Sequence, residues 1–317
     1  MATQYDAHGR LRHLVTLQDL PREQLVELLD RAENFLTAPG ALPARNRVLA
    51  GRTVANLFFE PSTRTRASFE LAARRLGADV LSLDVSTSSR AKGETLLDTI
   101  YTLQAMQVDI FVIRDAQSGV PAFICDHVAP HVAVLNAGES HLNHPTQGLL
   151  DILTMRRHKG RFEDLVVTIA GDIQHSRVAR SAYHALATLG VGELRLVAPP
   201  ALAPDPDEFR GATLLDNIEA GVRDADVVMC LRIQRERMEV SRNPDAEDFH
   251  RQFGLTMERL ALARPDAIVM HPGPMNRDVE IAGSVADSAQ SVITEQVTNG
   301  VAVRMAVMQT VMETLHG

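Results

Sequence analysis

Cysteine is scarce in this chain of 317 residues: Cys125 and Cys230 are the only two, far apart and with no Cys-x-x-Cys pair. That speaks against a disulfide framework and a structural zinc centre, and it suits a reducing cytoplasm. No run approaches the ~20 apolar residues of a membrane span, and the polar N-terminus has no apolar signal core. A cytoplasmic chain that enters no membrane is the expectation. Positive charge is not in excess either: 32 Lys and Arg stand against 40 Asp and Glu, a net charge of −8. Nucleic-acid phosphates are repelled by such a field, so no nucleic-acid partner is expected. The Gly-x-Gly-x-x-Gly fingerprint of nicotinamide-binding folds is missing where it should stand, since the chain reads Ala170-Gly171-Asp172-Ile173-Gln174-His175 after a strand-like run. Repeats and low-complexity tracts are lacking, and the proline-rich stretch from Ala198 to Pro206 is too short for a disordered linker. No cofactor or metal is called for.

What is present is ordinary for a soluble globular enzyme: 45% hydrophobic and 23% charged residues. The length favours two domains of roughly 150 residues each. After a helix near Pro21, strand-like runs (Val54 to Phe59, Val80 to Leu83, Ile110 to Ile113, Val132 to Leu135) alternate with helical patterns (Thr65 to Leu76, Glu94 to Met106, Pro121 to Val128). A second series follows, with strands at Leu165 to Ala170, Glu193 to Val197, Val227 to Cys230 and Ile268 to Met270. This alternation predicts an α/β fold of two domains, each a parallel sheet flanked by helices. An interdomain helix over 144–158 would join a first domain (1–143 plus about 299–317) to a second (159–298), and an amphipathic C-terminal helix would close the chain. Its Met305, Met308 and Met312 read as core.

The richest segment is Phe58-Phe59-Glu60-Pro61-Ser62-Thr63-Arg64-Thr65-Arg66. A strand-like run ends at Pro61, and hydroxyls and an arginine open a helix. A helix start offers unpaired N–H groups and partial positive charge, ready for phosphate. The plain alternative is a Ser/Thr N-cap beside a solvated arginine. Arg64 and Thr65 favour the anion site, because a cation in the first turn is unfavourable unless an anion answers it. Further polar clusters follow other strands: Arg114; His144-Pro145-Thr146-Gln147; Gly171-Asp172 through Ser176-Arg177; Arg232-Ile233-Gln234; His271-Pro272-Gly273-Pro274. Six clusters at carboxyl ends of strands match where open α/β sheets bind ligands.

Taken in order, these motifs resemble those of the aspartate and ornithine carbamoyltransferases over nearly the whole chain. Phe59 to Arg66 is similar to the family's carbamoyl phosphate signature, and His144-Pro145-Thr146-Gln147 with Asp151 to its second shared motif. Lys92-Gly93-Glu94-Thr95 and Gly171-Asp172…Arg177 are similar to its middle motifs. Arg232-Ile233-Gln234 with Glu236-Arg237, and the loop His271 to Arg277, resemble the aspartate branch. The ornithine enzymes carry a cysteine where Pro272 follows His271, and a second amino group would call for carboxylates rather than arginines. Asp278 stands where the aspartate branch usually has glycine, which leaves the path of that loop open.

The resemblance implies transfer of the carbamoyl group of carbamoyl phosphate to L-aspartate, with ornithine carbamoyl transfer or a non-catalytic scaffold as alternatives. It implies a first domain for carbamoyl phosphate and a second for aspartate. Ser62, Thr63, Arg64 and Thr65 would hold the phosphate, with Arg114 bridging phosphate and carbonyl. His144, Thr65 and Arg114 would face the carbonyl oxygen. Gln147 and the backbone of Pro272, Gly273 and Pro274 would meet the carbamoyl amide. Arg177 would take one carboxylate of aspartate, and Arg232 with Gln234 the other. Ser88 and Lys92 match a loop that reaches a neighbouring subunit's site, implying a homotrimer. A larger assembly with a regulatory chain or another pyrimidine enzyme is also admitted. By itself His144 is more often a structural histidine, Lys92 reads as a solvated loop charge, and Arg235, Glu236 and Arg237 read as loop charges or interdomain ion pairs. Glu60 is a candidate ion-pair partner for Arg177 or Arg237.

Overall fold

The computed structural model describes residues 4–38, 40–84, 95–234 and 245–316. Ser88 and Lys92, with Arg235, Glu236 and Arg237, lie outside them. The chain forms two compact units, residues 1–149 with 298–317 and residues 150–297.

In the first unit the order is α1 (Arg22–Glu33), β1 (Thr53–Phe58), α2 (Thr63–Arg75), β2 (Asp79–Asp84), α3 (Leu96–Ala105), β3 (Ile110–Asp115), α4 (Val120–Cys125) and β4 (Ala133–Glu139). The next helix, α5 (Pro145–Lys159), contains the boundary between Leu149 and Leu150. The four strands are all parallel, in the order β2-β1-β3-β4. β1, β3 and β4 are buried almost throughout, which is why they read as continuous apolar runs rather than alternating ones. Period-two geometry sends Ala55, Leu57, Phe111 and Ile113 to one face, where they pack with Ile100 and Leu103 of α3 and Val120 and Ile124 of α4.

The second unit continues with β5 (Val166–Gly171), α6 (Arg177–Leu189), β6 (Glu193–Val197), β7 (Thr213–Leu215), α7 (Ile218–Val222), β8 (Val227–Leu231), α8 (Ala246–Phe253), α9 (Met257–Leu260), β9 (Ile268–Met270) and α10 (Gly283–Ala286). Its sheet is parallel, in the order β7-β6-β5-β8-β9. Ala170, Val197, Val228, Cys230 and Val269 form one apolar face with Ile218, Val222, Leu260 and Val285. β7 and the short helices α7 to α10 are not anticipated in the sequence; a helix of four to eight residues spans barely one or two turns, too few for its period to register.

The last helix, α11 (Ile293–His316), returns to the first unit from residue 298. There Met305, Met308 and Met312 are buried as core, the Arg304 guanidinium lies 4.9 Å over the Phe69 ring of α2, and Glu313 pairs with Arg31 of α1. Among the described residues no helix is long and apolar enough to cross a membrane.

Candidate active site

In the first unit the expected phosphate residues gather at the carboxyl edge of the sheet. Ser62 occupies the N-cap position of α2 with extended backbone, yet its hydroxyl makes no capping hydrogen bond, and no acidic residue sits in the first turn. Hydroxyls at Ser62, Thr63 and Thr65 and the guanidinium of Arg64 therefore share one helix start whose N–H groups and dipole favour an anion.

Arg114 is the next-to-last residue of β3. It is in register with Phe58 of β1, while its pairing with β4 shifts between Ile113 and Asp115. Such an irregularity re-aims a side chain at the end of a strand. Arg114 is 7% exposed, its guanidinium donating from Nη1 to the Ala137 carbonyl at 3.1 Å and from Nη2 to Glu60 Oε1 at 2.5 Å. Glu60, a candidate partner for Arg177 or Arg237, holds Arg114.

After β4 the chain turns through Ser140, with φ of 44°. The His144 carbonyl accepts from the Gln147 N–H at 2.9 Å, opening α5 with Pro145 in its first turn, and His144 and Gln147 are both buried. A loop after β1, a bulge at the end of β3 and a helix start after β4 thus deliver the expected groups to one sheet edge.

The second unit works through buried polar ties. Gly171, with φ of 130°, ends β5 so close to β8 that a Cβ there would lie 2.2 Å from the Leu231 carbonyl oxygen. Only glycine permits that approach. Asp172 follows, fully buried: Oδ1 accepts from His175 Nδ1 at 2.8 Å and Oδ2 from the Gln234 N–H at 3.0 Å. One carboxylate thereby joins the loops after β5 and β8. The Gln234 side-chain amide closes the ring by donating to the His175 carbonyl at 2.9 Å. Ser176 caps α6, its Oγ accepting from the Ala179 N–H at 3.1 Å, and Arg177 is the first helical residue, 7% exposed. Arg232 and Gln234 stand on the neighbouring loop, half-buried.

The loop after β9 holds Pro272, Gly273 and Pro274, with a cis bond between the last two and φ of 67° at Gly273. Asp278 has φ of 59°. That left-handed conformation is the reason glycine suits the position, and aspartate tolerates it better than most residues. Its Oδ1 also accepts from the Gly283 N–H at 2.9 Å. The supporting roles of Glu280 and Gln296, described below, are not anticipated in the sequence. The weak signal is an acidic residue nine positions beyond His271.

Neither cysteine is a nucleophile. Burial pushes the Cys125 thiol up to about 12 and Cys230 up as well, so both stay protonated. Among the described residues no group of three or more His, Cys, Asp or Glu could hold a metal ion.

Residues 12–157 match the family model for the carbamoyl-P binding domain of aspartate/ornithine carbamoyltransferase, and residues 163–311 match that for its Asp/Orn binding domain. Among solved structures, the chain is similar to aspartate transcarbamoylase from Trypanosoma cruzi in complex with carbamoyl aspartate and phosphate. There the TM-score is 0.84 at 28% identity, covering 96% of this chain and 98% of the other. The same enzyme with carbamoyl phosphate and aspartate gives a TM-score of 0.82 at 28% identity, covering 94% and 96%. Ornithine carbamoyltransferase from Pyrococcus furiosus is equally similar, with a TM-score of 0.83 at 29% identity, covering 95% and 97%.

Proposed function

The chain belongs to the aspartate/ornithine carbamoyltransferase family, and from that premise we propose that it transfers the carbamoyl group of carbamoyl phosphate to L-aspartate, an early step of pyrimidine synthesis. The aspartate α-amine attacks the carbamoyl carbon; a C–N bond forms, the C–O bond to phosphate breaks, and the departing phosphate takes the amine proton. Ser62, Thr63, Arg64 and Thr65 bind the phosphate. Arg114, His144 and Thr65 stabilise the carbonyl oxygen as charge grows on it, and Gln147 with the Pro272 and Gly273 carbonyls orients the amide. Pro274 shapes the turn that carries them. Arg177, Arg232 and Gln234 take the two carboxylates. No strong general base is needed, so the protein works by positioning, worth up to roughly 7–11 kcal/mol, and by oxyanion stabilisation of about 3–4 kcal/mol per donor. A homotrimer, with Ser88 and Lys92 serving a neighbouring subunit, completes the proposal; sedimentation velocity tests it.

The observation that carries the choice of amine is the charge of the second unit's loops. Arg177 and Arg232 are cationic, whereas Asp172 and Glu280, carboxylates of the same unit's described loops, are buried and already accept hydrogen bonds. An ornithine ammonium would meet repulsion there, and an aspartate carboxylate would not. Ornithine is the second reading, kept by the equal similarity to the Pyrococcus enzyme. Phosphate release from carbamoyl phosphate, measured with aspartate, with ornithine and with no amine, separates them. Release without any amine would overturn the transferase reading, and an inactive chain would point to a scaffold.

A further inference from the structure

Two of the three residues in Pro272-Gly273-Pro274 are prolines without an N–H, so this loop has a single backbone donor with which to anchor itself. That donor, the Gly273 N–H, points to His271 Nδ1 at 2.9 Å. An Nδ1 that accepts leaves the imidazole proton on Nε2, which donates to Glu280 Oε1 at 3.0 Å. The same oxygen accepts the Asn276 N–H at 2.6 Å. One carboxylate oxygen thus closes the loop from both ends. Beneath it, the His271 N–H donates to Gln296 Oε1 at 2.9 Å, and Gln296 Nε2 to Asp151 Oδ1 at 2.8 Å.

The His271 and Glu280 side chains are 0% and 1% exposed. A neutral imidazole does not balance the carboxylate's charge, so burying the pair carries a desolvation cost that an apolar pair would avoid. Such a network rigidifies what it touches, and what it touches is the Gly273 and Asn276 N–H groups, on either side of Pro274 in the turn that Pro272 opens. We propose that His271 and Glu280 are positioning residues, a buried dyad that fixes the turn presenting the Pro272 and Gly273 carbonyls to the carbamoyl amide. The inference rests on the carbamoyl-transfer reading above, and it assigns a task to two residues that meet no substrate themselves.

The dyad lies in the second unit, while the phosphate residues lie in the first. Its loss should therefore lower turnover without lowering affinity for inorganic phosphate. Positioning losses of this kind cost about 10–100-fold, so His271→Ala and Glu280→Ala should lose that much kcat. The dissociation constant for inorganic phosphate, read by calorimetry, should stay within about twofold. His271→Asn places an amide oxygen near the former Nδ1 and should recover part of kcat. His271→Gln reaches Glu280 but not the Gly273 N–H and should recover less. Should His271→Ala or Glu280→Ala fail to fold, the Asn and Gln variants carry the comparison. The proposal is overturned if folded variants keep wild-type kcat, if phosphate affinity falls in step with kcat, or if Asn and Gln are indistinguishable. Wild-type enzyme that releases phosphate without an amine would instead overturn the reading beneath it.

Discussion

Two helix starts carry similar residues, Ser62-Thr63-Arg64 at α2 and Ser176-Arg177 at α6. The Ser176 hydroxyl caps its helix, whereas that of Ser62 makes no capping bond. Local sequence therefore does not distinguish a cap from a ligand group; what distinguishes them is how the rest of the sheet edge is held. In the second unit Asp172 and the His271–Glu280 dyad lock three loops in place, and Ser176 serves the same stiffening. In the first unit Ser62 leaves its helix uncapped, and Arg114, at an irregularity in β3, donates to Glu60 and the Ala137 carbonyl.

The largest break in that comparison should come from Arg64→Ala. The side chain is exposed, so melting temperature should be unchanged while kcat falls about 10²–10³-fold, some 3–4 kcal/mol. Stopped-flow phosphate release checks it. Near-normal turnover would remove α2 from the reaction.

Gly171→Ala tests the second edge. Its Cβ would sit 2.2 Å from a backbone oxygen at a φ of 130°. The expected loss is roughly 2–4 kcal/mol in urea unfolding, with activity falling as β5 and β8 part.

Much of this was legible in the sequence, for a physical reason. Buried parallel strands read as apolar runs, so both sheets and the placing of His144, Arg177 and Arg232 after strands could be read directly, whereas Arg114, expected after the third strand, lies within its last two residues. Ser62 to Thr65 is a contiguous motif and equally plain. What escaped is whatever depends on contacts distant in sequence. Glu60 holds Arg114 across 54 positions, Asp172 reaches Gln234 across 62, and Gln296 reaches Asp151 across 145. No local pattern encodes such partners.

Acid should affect the first unit through a residue outside its site. Burial pushes the His13 imidazole down from 6.5 to about 3, with the Arg12 guanidinium adding to the shift. Its Nδ1 accepts from the Val134 N–H at 2.9 Å, which requires the neutral ring. The unfolded chain takes up a proton near pH 6.5 and the folded one does not. Stability is therefore complete above that pH and declines as pH falls toward 3, by about 2 kcal/mol between roughly pH 6 and 4.5. His13→Asn, which keeps an acceptor near Nδ1, should flatten that decline in chemical denaturation; an unchanged slope would assign it elsewhere.

The smallest expected effect separates the two serines. Ser176→Ala should cost about 1 kcal/mol of stability, as lost caps do, and Ser62→Ala essentially none. The second substitution should instead weaken phosphate binding in calorimetry. Equal stability losses would mean that both serines are caps.

Carbamoyl transfer to aspartate, with an arginine-lined second unit choosing the amine, is tested most directly by competition in one tube. Carbamoyl phosphate is supplied with equal L-aspartate and L-ornithine, and the carbamoylated products are counted by mass spectrometry. N-carbamoyl-L-aspartate should dominate by about 10³-fold or more, as expected when a site built for one charge meets the other. A majority of carbamoylated ornithine would contradict the account.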